Sequence, residues 1–129
     1  MVATVQANIH CCRTLIELTA RLDDSGLPPN TKILSEAKIS FQPFLKNLKN
    51  LPKSKHKELQ NAKKDLEKVI SNCIKASDIG DKYLDDATHG ANEITLRMRV
   101  STMVMYTSYA QSYNESLKKK LSLLSTMFD

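Results

Sequence analysis

Three histidines, three cysteines and the adjacent carboxylates Asp85 and Asp86 are the residues of this 129-residue chain weighed for chemistry. His10 stands beside Cys11 and Cys12, and Cys73 would complete a metal-ligand set if the segments carrying them touched. Neighbouring residues on a helix point about 100° apart, however, so Cys11 and Cys12 do not readily share one tetrahedral ion. Small buried hydrophobes are therefore the reading adopted for the thiols. His56 and His89 fall near predicted helix ends, with no carboxylate or thiol at a spacing that would make a general base or nucleophile. There is no glycine-rich phosphate loop and no Glu-x-x-His pattern of the kind that builds a di-iron bundle. Asp85 and Asp86 read as a solvated helix face. The expectation is a protein that is not an enzyme and needs no cofactor.

Binding chemistry is better represented. Nineteen Lys and Arg against 14 Asp and Glu give a formal charge of +5, concentrated between Lys46 and Lys68 and again at Lys118, Lys119 and Lys120. Few aromatic residues interleave with the basic ones, which is a poor pattern for reading bases. Lysines bordering an apolar groove would instead suit an acidic amphipathic helix. Lys63 precedes Ile70 and Ile74, which lie off the main apolar seam of their helix, while Lys38 and Lys46 flank a stripe through Phe41 and Phe44. Together these residues would outline a groove between the second and third helices, although widening of the ordinary core would place Ile70 and Ile74 equally well. Arg13 and Lys118 would edge the corresponding groove between the first and fourth.

Long helices are needed to position such edges, and the sequence supplies them. Leu59, Ala62, Leu66, Val69, Cys73, Ala76, Gly80, Tyr83 and Ala87 recur at alternating steps of three and four, which keeps one stripe on one side of a helix. Pro52 and an N-cap at Ser54 mark its start, and Gly90 its stop, giving a helix from Ser54 to about Thr88. A first helix from about Thr4 to Asp23 carries Val5, Ile9, Cys12 and Ile16, flanked by Leu15, Leu18 and Leu22. The DDSGLPPN segment breaks it. Leu34, Ala37, Phe41, Phe44 and Leu48 form the second helix, capped at Asn30 or Thr31, in which Pro43 predicts a kink or a short break.

The fourth helix, about Asn92 to Met127, has its seam at Leu96, Met103, Tyr106, Ala110, Tyr113, Leu117, Leu124 and Met127. Arg99 and Lys120 interrupt that seam, and long basic side chains snorkelling at the bundle edge would explain them. Ile94, Met98, Val100, Val104 and Met105 spread apolar character round the first half, predicting that this half is more enclosed than a surface helix. The connections NLPKS and THGAN are too short for crossovers, so successive helices run antiparallel. The result is one all-α domain over residues 1–129, an antiparallel up-down four-helix bundle with long third and fourth helices.

Composition agrees with that architecture. Only 3 Gly and 4 Pro argue against a sheet-rich fold, and 41% apolar with 26% charged residues is ordinary for a globular chain. No apolar run approaches the roughly 20 residues needed to span a bilayer. The start, MVATVQANIHCC, lacks a basic segment followed by an apolar one, and an odd cysteine count suits a reducing compartment. A cytoplasmic location is expected.

Residues 51–66, LPKSKHKELQNAKKDL, resemble the start of the third helix in the focal adhesion targeting domain of focal adhesion kinases, through Leu51, Pro52, Ser54, His56, Glu58, Ala62 and Lys64. Ile16-Glu17-Leu18, Pro28-Pro29 and Tyr83 fall in the same order as in that family. The resemblance implies a four-helix bundle acting as an adaptor. It would bind leucine-aspartate helices of paxillin-type scaffold proteins in grooves between helices one and four and between helices two and three. Val5, Gln6 and Ala7 stand where the family has a phosphorylated tyrosine, and Pro43 departs from the family's second helix. Two rival classes stand beside the adaptor: a structural helical subunit of a larger complex or homo-oligomer, and a basic module for acidic phospholipid or nucleic acid. Exposed apolar residues on the fourth helix would favour the structural subunit.

Overall fold

A computed structural model describes residues 2–24, 42–52 and 54–128, with side chains from residue 5 onward. These residues form an all-α four-helix bundle of α1 (Val2–Asp24), α2 (Gln42–Lys49), α3 (Lys57–Thr88) and α4 (Glu93–Phe128), the last two being the longest. Antiparallel packing of α3 on α4 dominates, α1 lies along both, and α2 touches α1 and α3 but not α4. Asn8 of α1 meets Ser54, just before α3, and Asp23 at the other end of α1 meets Lys118 of α4. Thus α1 runs parallel to α3 and antiparallel to α4, the up-down order expected.

The seam of α3 is as its sequence spacing predicts, with Leu59, Ala62, Leu66, Val69, Cys73, Ala76 and Gly80 all buried. It fades beyond Gly80: Tyr83 is half-buried and Ala87 exposed. The helix starts at Lys57, not at Ser54. His56 holds the N-cap position in extended conformation and makes no side-chain cap bond. The Ser54 hydroxyl donates to Asn8 Oδ1 and accepts the His56 N–H at 3.0 Å, so it ties the linker to α1 and does not cap the helix. At the far end Gly90 adopts φ 74°, and the Ala91 N–H closes onto the Asp86 carbonyl while the Gly90 N–H reaches Ala87. This pair of bonds satisfies carbonyls the helix leaves open. Asn92 then caps α4, its Oδ1 accepting the Thr95 N–H at 2.9 Å.

The seam of α4 differs from the expected one. Met103, Thr107, Ala110, Asn114, Leu117, Leu121 and Leu124 are buried, whereas Tyr113 and Met127 are exposed and Tyr106 is half-buried. The true stripe keeps the three-four alternation by placing two polar residues inside it. Thr107 satisfies its hydroxyl on the Met103 carbonyl, and Asn114 reaches Asp23 only at 3.5 Å while its Oδ1 has no partner. Arg99 and Lys120 are consequently flanking residues that make ion pairs to α3, Arg99 with Asp86 at 2.8 Å and Lys120 with Asp65 at 2.6 Å. Three heptads along α3 from Asp65 is Asp86, and three heptads back along α4 from Lys120 is Arg99. Both pairs therefore fix one register.

Two further expectations, on α1 and on the first half of α4, are corrected. In α1 the buried stripe is Cys11, Cys12, Leu15, Leu18 and Leu22, with Val5 and Ile16 exposed, because the leucines and not the β-branched residues face α3 and α4. Pro43 occupies the second position of α2, where its missing N–H has no helical partner to lose. Leu34, Ala37, Lys38 and Phe41, and the cap at Asn30 or Thr31, lie outside the described residues. Finally, the first half of α4 is not enclosed: Ile94 is 72% exposed and Met98 65%, with Val104 and Met105 exposed beside them.

Candidate functional site

A concavity sits where α1, the linker into α3 and the first turns of α3 converge. It is a cleft of about 630 Å³ lined by Ala7, Asn8, Cys11, Leu51, Pro52, Ser54, Lys55, Leu59, Gln60 and Lys63. Its position follows from local structure: Pro52 stops the preceding turn, Leu51 turns inward to the core, and the Ser54–Asn8 hydrogen bond holds the linker across α1. Gln60 Nε2 donates to the Ser54 carbonyl at 3.0 Å and fixes the same segment from the α3 side. Behind it, His56 packs edge-on against Phe128 with ring centroids 5.1 Å apart, joining the start of α3 to the end of α4.

The chemistry of the walls is mixed in a useful way. Ala7 and Pro52 offer apolar surface over the buried Leu51 and Leu59, Asn8, Ser54 and Gln60 offer hydrogen-bonding groups, and Lys55 and Lys63 bring positive charge. A few polar groups on an apolar lining is the usual composition of a ligand site of this volume. Cys11 lies in the wall but is itself buried, and burial raises its thiol pKa, helped by Cys12 and opposed by Lys63. A thiol held protonated in this way is a poor nucleophile. Burial alone pushes Cys73 up to about 12. No disulfide joins the three cysteines, and among the described residues no group of three His, Cys, Asp or Glu is placed to hold a metal ion. No helix of the described residues is long and apolar enough to cross a membrane.

Of the groove residues singled out from sequence, Lys63 alone lines this cleft. Ile70 is 2% exposed and belongs to the core, and Ile74 is half-buried against it. Lys46 is exposed on α2, and Lys38 lies outside the described residues. On the other side Arg13 is exposed, while Lys118 is engaged by Asp23 at 3.0 Å. Lys55, Asn8 and Ala7 went unrecognised because the cleft joins segments far apart in the chain. The only early sign was the Leu51-Pro52 and Ser54 group, which marked a helix start.

Comparison of the chain with protein-family models, with curated proteins and with solved structures yields no match. The class of protein that fold and cleft define is a four-helix bundle with a basic, apolar-lined recess at one end.

Proposed function

We propose that this bundle is a non-enzymatic adaptor that seats a short acidic amphipathic helix of a partner protein, of the leucine-aspartate type that the likeness to focal adhesion targeting domains implies. The observation that carries the reading is the apolar recess edged by Lys55 and Lys63. Leucines of the ligand would lie against Pro52 and Ala7, over the buried Leu51 and Leu59, and its carboxylates would approach the two lysines. Apolar contact supplies most of the affinity in such a complex, and the charges set orientation and association rate. This location differs from the groove between helices two and three, whose Lys38 and Phe41 lie outside the described residues.

The test is titration of a leucine-aspartate peptide into isotopically labelled protein. Amide shifts should cluster at residues 7–11, 51–55 and 59–63. Replacing Lys55 and Lys63 together by Glu should weaken binding at least about tenfold with little change in thermal stability, since exposed charges contribute little to folding. Shifts confined to the α1–α4 face around Arg13 would move the site there, and no shifts would end the adaptor reading. The structural-subunit alternative also has a specific observation behind it, the exposed apolar residues of α4.

A further inference from the structure

Opposite its buried seam, α4 carries a second stripe with the same three-four spacing. Met98, Thr102, Met105, Tyr109, Ser112, Ser116, Lys119, Leu123 and Thr126 follow one another along the outer face, with Ile94 and Met127 beside its two ends. Leu123 is 68% exposed, and Met98, Met105, Tyr109 and Met127 are exposed as well. Between Met98 and Leu123 the only charge on the stripe is Lys119. The six large apolar residues together show surface of the order of the roughly 800 Å² that each partner buries in a standard interface. A monomer rarely leaves so long an apolar strip open. The α2 helix packs on α1 and α3 and does not touch α4, so this face looks away from that side of the bundle.

We infer that this face pairs with the same face of a second copy, antiparallel, about a two-fold axis crossing α4 between residues 110 and 111. The order of side chains is what points to the second copy. Under that symmetry Tyr109 falls opposite Ser112 of the second copy, Met98 opposite Leu123 and Ile94 opposite Met127, while Met105 falls opposite Ser116, which is half-buried and donates to Asp65 of its own chain. Large residues meet small ones in the middle, and apolar meets apolar at both ends, which is the complementarity that lets two helices interdigitate. Each contact occurs twice, as a closed two-fold dimer requires. Lys119 falls opposite Thr102 and so meets no like charge. Arg99 and Lys120, which border the stripe, are each matched by a carboxylate of their own chain. The face shares no residue with the cleft, so the dimer and the adaptor reading stand or fall separately.

Sedimentation equilibrium of the full chain should show a reversible dimer with micromolar affinity. Met105→Glu with Tyr109→Glu should weaken it at least about a hundredfold while circular dichroism stays unchanged. Val104→Glu, equally exposed but off the stripe, should leave the dimer intact. Spin labels then test the direction. Cysteine introduced at Ser112 lies three residues from its mate along the axis, about 4.5 Å, whereas one at Met98 lies about 37 Å from its mate. Cys11, Cys12 and Cys73 are buried and leave the new thiol as the one that labels. A short distance at 112 with a long one at 98 supports the antiparallel pair. Short distances at both sites mean a parallel pair and overturn it. A monomer at all concentrations also overturns it.

Discussion

The α3–α4 hairpin is one pair of helices in two surroundings. From Lys57 to Gly80 on α3 and from Met103 to Phe128 on α4, the pair is backed by α1 and α2, and its seam residues are buried. From Tyr83 to Val100 the same spacing continues, yet Tyr83, Leu96 and Val100 are only half-buried and Leu84, Ile94 and Met98 are exposed. Spacing therefore decides which side of a helix faces its neighbour, and a third element decides whether that side is enclosed. Two helices alone have no depth in which to close a core. The tip should open locally at lower free energy than the base.

Core truncation gives the largest expected contrast. Leu66 at the base is 1% exposed, so Leu66→Ala should cost about 2 to 5 kcal/mol in urea denaturation. Leu96→Ala at the tip removes the same atoms from a half-exposed seam and should cost less than half as much. Equal losses would mean that the tip is as well packed as the base, and the contrast would be gone.

The two cross-helix ion pairs offer the next comparison, since one lies in each region. Asp65 is the better buried carboxylate, and it accepts from Ser116 as well as from Lys120. Asp65→Asn should destabilise by about 1 to 3 kcal/mol, because removing one partner of a shielded pair leaves the other uncompensated. Asp86→Asn, in the more solvated pair with Arg99, should cost under about 1 kcal/mol.

Gly90 tests the tip without touching packing. A Cβ there would meet nothing within 4 Å, so the whole effect of Gly90→Ala comes from its positive φ and should be about 1 kcal/mol. Gly90→Asn should recover part of it, as Asn tolerates that conformation better.

Smallest at neutral pH is the contribution of Cys73, buried in the base. Its folded pKa stands near 12 against an ordinary 9.0, so between those values the unfolded chain gives up a proton that the folded chain keeps. That contribution is fully present below pH 9 and is lost as pH rises toward 12. Cys73→Ala should flatten stability over this interval relative to the parent, and an unchanged slope would place the pH dependence in other groups.

Much of this fold was legible in the sequence, and the failures have a common cause. The α3 seam could be read residue by residue because it is filled with Leu, Ala, Val and Cys. In α4, Thr107 and Asn114 hold seam positions while Tyr106 and Tyr113 stand beside them, so apolar character alone shifts the stripe by one residue. Arg99 and Lys120 on the shifted stripe were the warning, and their carboxylates on α3 explain them. The lysine-edged site was legible only as chemistry. Its place at Asn8, Ser54 and Lys63 depends on how α1 lies against the linker, which local spacing does not encode.

The shared register of Asp65–Lys120 and Asp86–Arg99 has a geometric corollary. A straight α-helix drifts by about 20° per heptad against a strict seven-residue repeat, so three heptads would carry Arg99 about 60° away from Asp86. A left-handed supercoil of the two helices is the arrangement that would hold such a seven-residue repeat in register. The hairpin then behaves as a modular rod. Adding one heptad to each arm before the Gly90 turn should lengthen it and repeat every seam layer, whereas adding four residues to each arm should unwind the helices locally and bring the new residues in out of phase.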